Sequence, residues 1–407
     1  MTRRANGEGS YVQQKDGSWR WFLTMNGKRI SLRAKTKPLL NKRIKEFFSK
    51  REGHNDQIVT VKEWTERWLE NTKLTIKIKS YDSYVNDVQL YIIPRLGSIR
   101  LTDLSTITIQ DMFTDLKKHG GVSGKQLSPA TINSIRTTLN VLLNAAVDSN
   151  MISRNPAKRT KRIKQEKSEI PALSKDQLAN LIELASQQDY IYTNAKCKYN
   201  ENEGSRYLRE CYYRLLILEA ATGMRKGEIY ALSWDDVDLK NGILYIHSNL
   251  QRTSEGLTIY SPKNNKGRKI TIDNDTLEKI CEWKDIQDDY AEQYAGIFNN
   301  KFNLLFTNSF GNPVDNTNYQ KRYWNKLAEA AQLPKGFRWY DLRHTHATLL
   351  LSNGVPIKVV SERLGHSTVQ MTMNIYYKFL PNQQGLAADV FNSLDIYGNN
   401  RSQDDNE

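Results

Sequence analysis

Residues 364–377 read LGHSTVQMTMNIYY, and this stretch decides the architecture of the chain's second half. A helix predicted over Pro356 to Leu364 is stopped by Gly365. Ser367 then reads as the next N-cap, with Gln370 in the capping-box position. His366 is thereby held at a junction between two helices. Tyr376 follows it by ten residues, with Thr372 four residues ahead of the tyrosine. Neighbouring side chains on a helix diverge by roughly 100°, so Tyr376 and Tyr377 cannot both aim at one atom.

Three further words lie upstream: DLRHTHAT (341–348), SPKNNKGRKI (261–270) and ATGMRKGEI (221–229). Gly223 permits a tight turn, and a helix begins near Arg225, where unpaired N–H groups favour an anion. Lys263 sits between predicted strands, with Lys266 and Lys269 as alternatives. Arg225, Lys263 and Arg343 are cations, His366 is an imidazole and Tyr376 a phenol. Such a set suits attack on a backbone phosphodiester. A nucleophile must reach phosphorus, the charge growing on the non-bridging oxygens must be matched, and the departing 5′ oxygen must receive a proton. Guanidinium forks meet the second demand, because each can hold two oxygens. Contacts that strengthen during attack lower the barrier.

These four words resemble the tyrosine recombinase (phage-type integrase) family. The resemblance implies that Arg225 and Arg343 are the two catalytic arginines and that Lys263 is a general acid carried on a hairpin. His366 would contact phosphate and Tyr376 would be the nucleophile, giving a 3′-phosphotyrosyl bond and a free 5′ hydroxyl. Neither metal, ATP nor any other cofactor is called for. One position departs from the family: Tyr340 stands where a histidine is usual. An imidazole with pKa about 6.5 trades protons near neutrality, whereas a phenol near 10 does so poorly. Tyr340 can still donate a hydrogen bond to phosphate, so the base role passes to solvent, His366 or a shifted network. His344 and His346 are expected on other helix faces, with His344 packing or bonding structurally. Glu228 is expected to orient an arginine.

Length and composition agree with such a partner. The 407 residues fit two or three domains. The net charge of +14 is uneven: residues 1–50 carry thirteen Lys/Arg against three Asp/Glu, and residues 381–407 one against five. A basic arm and an acidic tail suit nucleic acid. Three cysteines without a CxxC indicate neither a disulfide framework nor a thiolate zinc site. No signal segment or membrane-spanning stretch is read, so the expected location is the cytoplasm, at the nucleoid when bound to DNA.

The expected fold is multidomain. A small three-stranded sheet plus helix (1–52) resembles the arm-type DNA-binding domain of element integrases. Its turns are Asp16-Gly17 and Asn26-Gly27. One face (Trp19, Trp21, Leu23, Met25, Ile30, Leu32) would pack on a helix over 36–49. The other would present Arg20, Lys28, Arg29 and Arg33 to DNA. A four-helix DNA-binding domain follows at 58–155, with Lys77, Lys79 and Arg136 among its candidate backbone contacts. A basic linker spans 156–170, including Lys161 and Arg162. A mixed α+β catalytic domain covers 171–390, with an insertion at 187–209, a long apolar helix over 211–221, and a short strand at Leu304–Thr307. An acidic polar tail covers 391–407. The resemblance further implies double-stranded DNA with core and arm attachment sites, a homotetramer on DNA, and excision, directionality and bending accessory proteins. The rival readings are a catalytically lapsed DNA-binding accessory protein and a type IB-like topoisomerase.

Overall fold

The computed structural model describes residues 9–25, 28–52, 59–120, 124, 126–165, 171–187, 203–260, 267–379 and 383–394. The chain divides into two compact units, Met1–Glu166 and Lys167–Glu407.

In the first unit, β1 (Ser10–Gln13), β2 (Trp19–Met25) and β3 (Lys28–Ala34) form an antiparallel meander in that order. Strand alternation sorts the side chains as expected. Trp21 and Leu23 are buried with Leu40 of α1 (Lys37–Glu52), and Ile44 and Phe47 pack beside them. On the opposite face Arg20 lies across from Arg33 and Thr24 from Arg29. The Arg20 and Arg29 guanidiniums cover the Phe22 ring at 5.2 and 4.5 Å. Arg33 is engaged within the sheet: it pairs with Asp16, and its Nε donates to Ser18 Oγ at 3.0 Å. Gly17, at φ +80°, makes the first turn; Asn26-Gly27 lies outside the described residues.

The helical part begins with α2 (Val61–Lys73), capped by a reciprocal Thr60–Glu63 box. Its Val61, Trp64, Trp68 and Leu69 stripe is core, and the Trp64 Nε1 donates to Leu142 O at 3.1 Å. The second helix is compound. α3 (Ile78–Asp87) passes through a wide π-turn at Val88–Ile92 into α4 (Ile93–Leu96). Pro94 sits there, and a wider turn relieves the clash a proline makes with the carbonyl behind it. α5 (Thr106–His119) and α6 (Pro129–Asp148) complete the bundle, with Ser128 capping α6 through the Thr131 N–H at 3.2 Å.

The expected linker does not start free of this bundle. Pro156–Arg159 form a 3₁₀ turn. Arg136 donates from Nε to Thr160 Oγ1 (2.9 Å) and from Nη2 to Thr160 O (3.0 Å), and Asn133 exchanges two hydrogen bonds with the Ile163 backbone. Arg136 thus binds 156–163 to α6, while Lys161 and Arg162 face solvent.

In the second unit, α7 (Lys175–Ser186) starts at a reciprocal Ser174–Gln177 capping box. The apolar helix α8 (Glu203–Thr222) begins eight residues before its predicted start. Tyr207 causes this extension: its ring stacks on Tyr290 at 4.2 Å and its hydroxyl meets Thr307 Oγ1 at 2.6 Å, both under cover. Most of the expected insertion, 188–202, lies outside the described residues. After α9 (Lys226–Ala231), the strands β4 (Val237–Asp238), β5 (Ile243–Ile246) and β8 (Arg268–Thr271) form one sheet in the order β4-β5-β8. β6 (Asn249–Thr253) and β7 (Gly256–Tyr260) form a separate hairpin.

α10 (Asn274–Gln293), α11 (Asn316–Tyr319) and α12 (Asn325–Ala330) surround the main core. Leu304–Thr307 is not a strand. It makes only single bridges, Ser233 to Leu304 and Thr307 to Pro313, because its next partners are loops. A smaller core joins α13 (Asp341–Ser352), α14 (Ile357–Leu364) and α15 (Val369–Tyr376). The last helix, α16 (Gln383–Ser393), leaves Val390 and Phe391 exposed, with Leu394 beyond it exposed as well. Among the described residues no helix is long and apolar enough to cross a membrane.

Candidate active site

The site is assembled where α8, α13 and α14 end or begin. Gly223 closes α8 at φ +59°, and a Cβ there would stand 2.8 Å from the His346 ring. Arg225 follows as the N-cap of α9. Its backbone N–H and Nη1 both donate to Glu228 (2.9 and 2.8 Å), and its Nη2 donates to Gly365 O at 2.8 Å.

The LGHS word is a Schellman turn. Gly365 adopts φ +67°, its N–H returns to Glu362 O at 2.9 Å, and the His366 N–H reaches Ser361 O at 3.0 Å. The turn exposes the carbonyls of Leu364 and Gly365 side by side. Arg343, 1% exposed, donates from Nη2 to Leu364 O (2.8 Å) and from Nη1 to Gly223 O (2.6 Å). The two arginines are therefore fixed to consecutive residues of one turn. Burial, then the charge of Arg225, lowers the Arg343 guanidinium to about 10, so it stays charged at neutral pH.

His366 is oriented by Thr372, whose Oγ1 lies 2.7 Å from Nδ1. Burial and then the two arginines push its imidazole down to about 4, which keeps the ring neutral in the free chain. Ser367 is not the cap of α15. Thr368 takes that position without a side-chain hydrogen bond, and the Ser367 hydroxyl turns to Met371 Sδ at 3.1 Å.

Tyr376 ends α15 fully buried, and its hydroxyl lies 2.6 Å from His344 Nδ1. Burial raises the phenol above its ordinary range. Tyr377 points away and is 70% exposed. Tyr340 stands at the start of α13, with its ring edge-on to His344 at 5.6 Å. Contrary to the expectation from sequence, His344 faces the site. It is one turn beyond Tyr340 on the same helix face, and that i, i+4 spacing was the available signal. His346 packs inward, with Nδ1 on Ala220 O (2.9 Å) and Nε2 accepting from Arg363 Nε (3.0 Å).

Arg268 is a site residue that sequence reasoning missed. It donates to both Glu228 oxygens (3.1 and 2.7 Å) and to Arg363 O (2.8 Å). Burial alone would raise the Glu228 carboxyl, but Arg268 and then Arg225 hold it at about 2. Glu228→Gln is expected to cost about 3 kcal/mol, because it leaves Arg268 buried without its counter-charge. The Glu228 contribution is present above the ordinary carboxyl value and lost as pH falls toward 2. Denaturant midpoints of the two proteins should therefore converge in acid. Lys263 lies outside the described residues, between β7 and β8. Lys269 covers the Tyr245 ring at 5.1 Å.

Behind the arginines, Glu219 of α8 is fully buried, and neither carboxyl oxygen accepts a hydrogen bond among the described residues. Burial pushes its carboxyl well above the usual range, although Arg343 opposes this. Folded protein thus keeps a proton that the unfolded chain releases above its ordinary value. This group's contribution to stability then falls with rising pH, by about 1.4 kcal/mol per unit between the two values. Glu219→Gln should gain stability relative to the parent as pH rises above the ordinary carboxyl value, read by urea unfolding; parallel curves would count against a raised Glu219 carboxyl.

The "Phage integrase family" profile matches residues 171–383, over half of the chain, and the "Phage integrase, N-terminal SAM-like domain" profile matches 60–117. The chain is 27% identical to a tyrosine recombinase XerC-like protein of Caldanaerobacter subterraneus subsp. tengcongensis, over 97% of this chain and 100% of that one. Its fold is similar to the Tn1549 transposon integrase in complex with transposon right end DNA. That match has TM-score 0.62 and 20% identity, and covers 78% of this chain and 95% of that one. It is also similar to a lambda integrase tetramer bound to a Holliday junction, with TM-score 0.52, 19% identity and coverage of 92% and 96%. With a matching profile over its second unit and a buried tyrosine beside two clustered arginines, this chain belongs to the phage integrase family and is a tyrosine recombinase.

Proposed function

We propose that this recombinase integrates and excises a mobile element, cutting each DNA strand through Tyr376. The observation that carries the reading is the attachment of Arg225 and Arg343 to Gly365 and Leu364 of one turn, which sets two guanidinium groups beside His366. Among the described residues, each guanidinium places two of its five N–H donors on protein acceptors. The rest can hold the non-bridging oxygens of a scissile phosphate. A Thr372 hydroxyl donating to His366 Nδ1 puts the ring proton on Nε2, free to bond the same phosphate. Lys263 protonates the 5′ oxygen as it leaves. The phosphotyrosyl link conserves the ester, so a new 5′ hydroxyl can reverse the step onto another strand. Tyr340 serves as a hydrogen-bond donor at the rim of the site.

Four protomers hold two duplexes and exchange strands through a four-way junction, in keeping with the tetrameric lambda integrase complex. Arg20, Lys28, Arg29 and Arg33 are the candidate contacts to arm-type sites. Lys77, Lys79, Lys161 and Arg162 contact the core-site backbone, and Arg136 supports them by holding residues 156–163 in place. The domain division is 1–52, 58–155 and 171–390, with the helical domain extended by the segment that Arg136 binds. Excision, directionality and bending proteins act alongside it in a prokaryotic cytoplasm.

The test is incubation with an interrupted duplex copied from the element–chromosome junction. A detergent-resistant covalent complex is expected. Specific binding without a covalent complex would instead favour a lapsed accessory protein. Relaxation of supercoiled plasmid lacking the junction sequence would favour a topoisomerase.

A further inference from the structure

The replacement of the family's usual histidine by Tyr340 leaves the proton of the nucleophile without an obvious acceptor. The geometry points to His344 as the general base for Tyr376: its Nδ1, 2.6 Å from the phenolic oxygen, takes the hydroxyl proton as the phenol attacks phosphorus. This inference rests on the reading of Tyr376 as nucleophile and adds to it the residue that activates it.

Three observations support the assignment. First, the hydrogen bond is direct and short, within the reach a general base needs. Second, the tyrosine is fully buried, so bulk water does not compete for its proton. Third, the surroundings of the imidazole disfavour its charged form. Burial lowers it, Arg343 and Arg338 lower it further, and Asp341, one turn back on the same helix, acts in the opposite sense. Tyr340 edge-on, Tyr376 from α15 and the nearby His366 complete the groups that face it. A neutral ring that accepts at Nδ1 carries its own proton on Nε2.

The step balances. The Tyr376 O–H bond breaks as an N–H bond forms on His344 Nδ1. The phenolic oxygen bonds to phosphorus as the bond from phosphorus to O5′ breaks, and O5′ takes the proton of the Lys263 ammonium. Rejoining runs the same transfers backward, with the His344 imidazolium returning its proton to the phenol. Arg343 next to this histidine supplies charge to the phosphate while keeping the ring from protonating early.

The experiment uses the full chain and the interrupted junction duplex in single-turnover cleavage from pH 5.5 to 9. His344→Asn places an amide oxygen near the Nδ1 position, so the tyrosine keeps its hydrogen bond but loses its base. Cleavage is expected to slow about 10²–10⁴-fold with duplex binding unchanged. The wild-type rate should level off above the imidazole's titration, whereas the variant rate should keep rising with pH. Replacing Tyr376 by 3-fluorotyrosine makes the phenol more acidic and should shrink the His344→Asn deficit. Added imidazole should raise cleavage by His344→Ala. Cleavage by His344→Asn within threefold of wild type, or a deficit unchanged by the fluorinated tyrosine, would overturn the assignment while leaving Tyr376 as nucleophile. A covalent complex that persists in Tyr376→Phe would overturn the underlying reading and this inference with it.

Discussion

Arg343→Ala is expected to lose strand cleavage and much of the chain's stability together. The guanidinium is almost wholly buried and joins the end of α8 to the end of α14 through Gly223 O and Leu364 O. Alanine leaves both carbonyls without these donors, at about 1–3 kcal/mol each. The same group is placed to match charge on the scissile phosphate, where loss of one preorganised donor costs about 3–4 kcal/mol, or roughly 10²–10³ in rate. Arg343→Lys separates the two roles. It keeps a positive charge, but an ammonium on a flexible stem does not reproduce the planar fork. It should recover part of the stability and little of the cleavage. Urea unfolding and single-turnover cleavage read the two effects separately; Arg343→Ala cutting within tenfold of wild type would contradict the phosphate role.

Tyr376→Phe is expected to fold and bind DNA but form no covalent complex. The ring fills the small core among Ala347, Leu351, Val360 and Leu364, and phenylalanine keeps that packing. The hydroxyl contributes one hydrogen bond, to His344, worth about 1 kcal/mol. Tyr377→Phe alters an exposed group, and cleavage should stay close to wild type. Thermal melts, gel shifts and a denaturing gel of the trapped complex separate folding, binding and chemistry. A covalent band in Tyr376→Phe that disappears in Tyr377→Phe would reverse the assignment of the two tyrosines.

The parts of the fold legible in the sequence are those set by short-range chemistry. A left-handed glycine ends α14, and period-two alternation sorts the arm sheet into an apolar and a basic face. In the second unit Arg225 and Arg343 meet the Leu364–Gly365 turn that precedes His366, and the charge of Arg343 reaches Tyr376. What was not legible depends on partners distant in the chain. Glu228 meets Arg268 across forty residues, Arg136 meets Thr160 across twenty-four, and His344 meets Tyr376 across thirty-two. No local pattern encodes those pairings, because each depends on how two elements pack. Two neighbouring hydroxyls explain the misplaced cap. Ser367 and Thr368 satisfy the same local rule, and the Schellman turn leaves Thr368 at the helix start. Tyr207 similarly lengthens α8 through contacts with α10 that its polar surroundings in sequence conceal.

Under the proposed function one phenolic oxygen, that of Tyr376, bonds to the DNA phosphate. The most direct measurement is mass spectrometry of the peptide that carries nucleotide after the trapped covalent complex is digested with nuclease and protease. The modification is expected on Tyr376, through a 3′ phosphate. Nucleotide on Tyr377, on Tyr340 or on a residue outside this pocket would contradict it.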